Sequence, residues 1–218
     1  MKSYRRRGEN TVEKDYTKGI PTLQEAEMLL EEAGKLNPGP WINHSINVGN
    51  AAQIIAQNSP GLCPDVALVL GMLHDIGRRE GITDMRHILD GYTFAKEKRF
   101  YHVARVCITH SFDCKNIKSG MGKWDCTKEE YDFIKQYLEN IEYDDYDKLI
   151  QLCDALALPN GFCLIEKRMI DVALRHGINE YTTLKWKSTF EIKDYFEDKI
   201  GKSIYRLLPG VAENTVGL

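Results

Sequence analysis

Apolar residues in this chain recur at three- and four-residue steps almost from end to end, and no useful length alternates in the manner of a half-buried strand. Thr22 caps a predicted helix carrying Leu23, Ala26, Leu29, Leu30 and Ala33 on one face, with Glu25 at the capping-box position and a stop near Asn37-Pro38-Gly39-Pro40. A second helix is expected from Pro40 or Trp41 to about Asn58, ended by Ser59-Pro60-Gly61. The third runs from Pro64-Asp65 to Gly77, with Pro in the first turn and Gly as its C-terminal residue. A looser stretch, Arg78 to Met85, precedes helices over His87–Arg99 and Tyr101–His110.

The segment Ser111–Thr127 lacks periodicity and contains Gly120 and Gly122, so it reads as a long loop suited to a lid. Thr127 and Glu130 form the capping pattern of the next helix. Helices follow over Asp145–Leu158, stopped by Pro159, then Phe162–His176 and Glu180–Lys199. His176-Gly177 is an ordinary helix end. The prediction is an all-α fold and a single domain over residues 1–218, with a C-terminal helical extension over 161–218.

Composition changes this picture little. The chain has 218 residues and a formal net charge of −3, which opposes an extended nucleic-acid surface. Arg5-Arg6-Arg7 is a local basic run read as a solvated terminus. No stretch is long and apolar enough for a bilayer, and the N-terminus lacks the apolar core of a secretory signal. The six cysteines form no C-x-x-C pair, so a reducing cytoplasm is the simplest compartment.

The chemistry begins at His74-Asp75, which closes the apolar run Val66–Leu73. A carboxylate buried without a partner costs several kcal/mol or changes its protonation, so Asp75 calls for a cation. An imidazole beside it makes a divalent metal the natural one. Asp154 falls beside an inward helix stripe of Ile150, Cys153, Ala157 and Leu158 and has the same need.

The ordered set His44, His74-Asp75, His87, His110 and Asp154, with His74-Asp75-Ile76-Gly77 at its centre, resembles the HD-domain phosphohydrolase superfamily. The resemblance implies an HD-domain-like helical bundle over about 40–160, with extra helices at both ends. It implies that His44, His74, Asp75 and Asp154 bind one divalent metal, and that His87 and His110 complete a second site bridged by Asp75. Imidazole and carboxylate ligands suit iron, manganese, cobalt, nickel or zinc. His87 followed by Asp90-Gly91 looks like a segment of the two-metal branch that cleaves dinucleoside polyphosphates, although that substrate is not carried over.

The implied activity is hydrolysis of a phosphomonoester or phosphoanhydride in a nucleotide-like small molecule by a metal-activated water. Asp75 and His74 are its catalytic pair. Arg78 stands where the family usually has lysine and keeps the charge for phosphate. Arg79, Lys115 and Lys118 are the further substrate-binding candidates, the lysines on the expected lid. His102 is read as a surface or supporting residue, Asp113 and Asp125 as loop acids, and Tyr143–Asp147 as a solvated helix entry. Tyr181 to Phe196 is expected to pack on the core. A non-catalytic nucleotide-sensing module and a diiron oxygenase on the same fold remain as alternatives, and a homodimer is left open.

Overall fold

The computed structural model describes residues 18–217, and Arg5-Arg6-Arg7 lies outside them. The described residues form eleven α-helices with one two-residue pair of strands, an all-α architecture. Helix α1 (Leu23–Leu36) opens on the expected capping box: the Thr22 hydroxyl accepts from the Glu25 N–H, and the Glu25 carboxylate accepts from the Thr22 N–H. It buries Ala26, Leu30 and Ala33.

Helices α2 (Trp41–Gln57) and α3 (Pro64–Leu73) form the central pair. A Cβ on Gly71 would lie 2.6 Å from the Gly49 Cα, so the two backbones touch there. That close crossing sets the first turn of α2 beside the end of α3, and the His44 and His74 ring centroids lie 5.4 Å apart.

The end of α3 corrects the sequence reading. The α-helix stops at Leu73, not Gly77; His74 caps it, and Ile76–Glu80 forms a 3-10 helix. Gly77 is not in the left-handed region that a capping glycine uses. Its role is clearance. A Cβ there would lie 2.0 Å from the His87 carbonyl oxygen and 2.3 Å from the Gly91 nitrogen, so only glycine lets the 3-10 segment press onto α4 (His87–Glu97).

Helix α5 (Tyr101–Thr109) packs on α4, and α6 (Lys128–Asn140) begins with the predicted Thr127–Glu130 capping box. Helix α7 (Asp145–Leu156) ends two residues before the predicted boundary. Ala157–Leu158 (β1) instead pairs antiparallel with Gly161–Phe162 (β2), Ala157 opposite Phe162. Pro159 disfavours helical backbone at Leu158, and Gly161 at φ 138° turns the chain back. The freed carbonyls are used by α2: Asn47 Nδ2 donates to Leu158 O at 2.7 Å, and the His44 ring reaches Ala157 O. Because Phe162 is spent in this ladder, α8 (Ile165–His176) starts later than expected. The chain continues as α9 (Thr182–Ile200), α10 (Ile204–Leu207) and α11 (Val211–Val216).

The loop expected as a free lid is instead pinned. Phe112 and Ile117 are buried in a second apolar cluster with Met85, Ile88, Ile108, Ile134 and Leu138. The Asp125 carboxylate accepts from the Asp84 and Arg86 backbone N–H groups at 2.7 Å each, and Asp84 accepts from the Lys123 N–H at 2.8 Å. The Tyr143–Asp147 run also differs from its reading as a solvated entry. Asp144 caps α7 as a helix entry should, but Asp147 is fully buried against Arg105 and accepts from Thr109 Oγ1 at 2.7 Å. All six cysteines are free.

Candidate metal centre

Each functional side chain is delivered by a helix end or first turn. His44 comes from the start of α2, His74-Asp75 from the turn after α3, His87 from the first residue of α4, His110 from the residue after α5, and Asp154 from the last turn of α7. His44, His74, Asp75, His87 and His110 are all buried. Asp154 retains a side-chain exposure of 28% and so faces the opening.

The four imidazoles share one arrangement. Nδ1 of His74 meets Gly71 O at 2.7 Å, that of His87 meets Asp84 O at 2.5 Å, that of His110 meets Val106 O at 2.9 Å, and that of His44 meets Ala157 O at 3.2 Å. A carbonyl can only accept, so Nδ1 carries a proton in each ring, and in the neutral ring that leaves the lone pair on Nε2. All four Nε2 atoms turn toward the two carboxylates. His44 Nε2 lies 3.0 Å from Asp154 Oδ1, His87 Nε2 lies 3.2 Å from Asp75 Oδ1, and His110 Nε2 lies 3.6 Å from the same oxygen.

With the rings neutral, as metal ligation requires, these are acceptors facing acceptors. His74 Nε2, His87 Nε2 and Asp75 Oδ1 are buried and have no hydrogen-bond partner. Lone pairs converging in a dry site repel unless a cation stands among them. His44, His74 and Asp154 offer ligand atoms within 4.8 Å of one another, as do His74, Asp75 and His110. His87 is outside both of these tight groups and approaches through Asp75. The donor set therefore fits a divalent cation of the kind held by imidazole and carboxylate.

The protonation states agree. Burial alone would raise the Asp75 carboxyl, but the Arg78 guanidinium, helped by the neighbouring imidazoles, holds it well below the usual range. Burial likewise opposes ionisation of Asp154, and the contacts with His44 and Arg168 overcome it. Burial lowers His44 despite Asp154, and brings His110 down to about 3. Near neutral pH the acids are ionised and these two rings are neutral, as metal ligation requires.

The profile of one protein family, the HD domain, matches residues 41–158, more than half of the chain and every one of the six groups. The chain is an HD-domain protein. No curated protein and no solved structure matches it. HD domains are typically metal-dependent hydrolases that bind divalent ions. No helix among the described residues is long and apolar enough to cross a membrane.

A cavity of about 140 Å³ opens above this HD centre, room for several waters or a phosphate group. Asp75, His87, His110 and Asp154 border it below, and α8 and α9 roof it with Met169, Val172 and Trp186. Arg78 borders it as the sequence suggests and gives Nε to Asp75 Oδ2 at 2.5 Å.

The other expected substrate contacts lie elsewhere. Arg79 pairs with Glu32 at 2.9 Å and stacks on the Phe94 ring at 4.2 Å. Lys115 turns to Glu142 and Tyr143, and Lys118 to Tyr181. None of the three borders the cavity. The pinning of the 111–127 segment leaves its lysines facing other surfaces, and α8 and α9 supply the cations in their place.

Arg168 donates to Asp154 Oδ1 at 3.1 Å, and Arg175, His176 and Lys185 also border the cavity. The sequence reading missed these roles. The one available signal was the spacing of Arg168, Val172 and Arg175, which share a helix face. Asp113, read as a loop acid, is inward-facing and borders the cavity beside Lys185 and Thr189. Trp186 packs as part of the apolar C-terminal region, as expected, and also forms wall.

Proposed function

We propose that this HD-domain protein is a metal-dependent phosphohydrolase acting on a phosphomonoester or phosphoanhydride of a nucleotide-like small molecule. The observation that carries the reading is the trio of buried, unpartnered acceptors, His74 Nε2, His87 Nε2 and Asp75 Oδ1. His44, His74, Asp75 and Asp154 would hold one ion, and His87 and His110 would complete a second site through Asp75. Iron, manganese, cobalt, nickel and zinc all suit these ligands. The chemistry such an ion supplies is neutralisation of phosphoryl charge and a lowered pKa for water.

The protein's own groups do the rest. Arg78 keeps Asp75 ionised through Nε and leaves its other N–H groups for a phosphate oxygen. Arg168 steadies Asp154 and brings a second guanidinium to the cavity. Met169, Val172 and Trp186 exclude water over the reacting group and offer an apolar surface to the remainder of the substrate. No cysteine serves as nucleophile in this reading; burial pushes the Cys107 and Cys153 thiols up, away from the reactive thiolate.

The test combines elemental analysis of the purified protein with phosphate release from a panel of nucleotides. Bound transition metal, and activity lost in Asp75→Ala, are expected. No bound metal together with equal activity in wild type and Asp75→Ala would end the proposal.

A further inference from the structure

Among the four imidazoles, His110 alone has its inward nitrogen met by a hydroxyl. Ser111 Oγ lies 3.0 Å from His110 Nε2. The His110 Nδ1 proton is committed to Val106 O, so Nε2 is an acceptor and the serine must donate to it. The lone pair that would ligate an ion at His110 is therefore already occupied, whereas those of His74 and His87 are not.

The backbone that carries this hydroxyl is held from outside the family match. Lys185 Nζ donates to the Ser111 carbonyl at 2.6 Å. Two residues on, Asp113 accepts from Thr189 Oγ1 at 2.5 Å and pairs with Lys185 at 3.3 Å. Lys185 and Thr189 belong to α9, beyond residue 158. Helix α9 thus fixes the backbone that presents Ser111 to His110.

The geometry points to Ser111 as the residue that makes the His110 metal site the later and weaker one to fill, an inference that rests on the metal reading above. An ion at His44, His74 and Asp154 displaces no hydroxyl. An ion at His110 must first break the Ser111 hydrogen bond, and the hydroxyl then turns to solvent or to another acceptor.

The experiment titrates the metal-free full chain with Mn²⁺ alone, following heat and bound stoichiometry. Wild type is expected to fill in two unequal steps. Ser111→Ala should tighten the second step about two- to tenfold, the worth of one hydrogen bond, and leave the first unchanged. Ser111→Thr, which keeps the hydroxyl, should behave as wild type, and Ser111→Gly provides a second hydroxyl-free variant should Ser111→Ala not fold. General loosening of the site would weaken both steps, the opposite of this expectation. A second step unchanged or weakened in the hydroxyl-free variants, or a single ion in every variant, overturns the role of Ser111. Absence of any uptake by wild type instead defeats the metal reading, and this inference falls with it.

Discussion

Arg78 Nε donates to Asp75 Oδ2 at 2.5 Å, while Asp75 Oδ1 has no hydrogen-bond partner at all. One oxygen is neutralised within the protein and the other is kept for something else. Removing one partner of a buried ion pair leaves an uncompensated charge, at a cost of about 3–5 kcal/mol. Arg78→Met should therefore lose stability of that order in the metal-free protein, measured by urea unfolding. Added Mn²⁺ should restore part of the loss, because a bound cation takes over the role of the guanidinium. Equal stability of variant and wild type without metal would show that Arg78 does not hold Asp75.

Gly77→Ala tests the contact between the 3-10 segment and α4. The added Cβ would meet main-chain atoms of His87 and Gly91, which cannot swing aside as a side chain can. Overpacking of this kind costs typically about 1–3 kcal/mol, and backbone collision belongs at or above the upper end. The shift displaces the main chain of His87, whose ring faces Asp75, so Mn²⁺ affinity should fall together with the urea midpoint. A fall in stability with metal affinity intact would separate the two.

Acid sensitivity of the metal-free protein follows from the depressed groups. His110 ordinarily titrates at 6.5 and here at about 3, so between those values the unfolded chain binds a proton that the folded one refuses. This contribution to stability is present above pH 6.5 and lost progressively as pH falls toward 3. Asp75 and Asp154, both held well below their ordinary 3.8, add loss of the same sign below that value. Urea midpoints taken stepwise from pH 8 to pH 4 should fall; a flat profile would contradict the burial of His110.

Trp186 borders the cavity from α9 and belongs to neither of the groups that could hold a metal ion. Trp186→Ala should raise KM for a nucleotide substrate about two- to tenfold, as expected for loss of an aromatic contact, and leave metal content unchanged. Steady-state kinetics with elemental analysis of the same sample checks both halves. An unchanged KM would place the base or sugar elsewhere.

The helical fold was legible because local signals agree with the final packing: both Thr-to-Glu capping boxes, the breakers at Pro38–Pro40 and Pro60-Gly61, and the apolar faces of α1 to α5. Asp75 and Asp154 stood out because a carboxylate at the edge of an apolar run demands compensation, and His44, His87 and His110 stood out through the order of motifs that resembles the HD-domain superfamily. What stayed hidden depends on contacts distant along the chain. Nothing local distinguishes a capping glycine from Gly77, whose requirement is set by His87 and Gly91. Asp125 reads as an ordinary loop acid until Asp84 and Arg86 come to it across the fold. Arg168 and Lys185 look like the solvated face of a helix, and only the placement of α8 and α9 over Asp154 and Ser111 turns them inward.

At Nδ1 every imidazole of the centre is steered by a peptide carbonyl, and none by an acidic or amide side chain. The orientation of the rings is thus written into main-chain geometry, which mutation alters far less readily than it alters side chains. Side-chain substitutions on α8 and α9 can accordingly reshape the cavity while the Nδ1 anchors of the four rings stay in place.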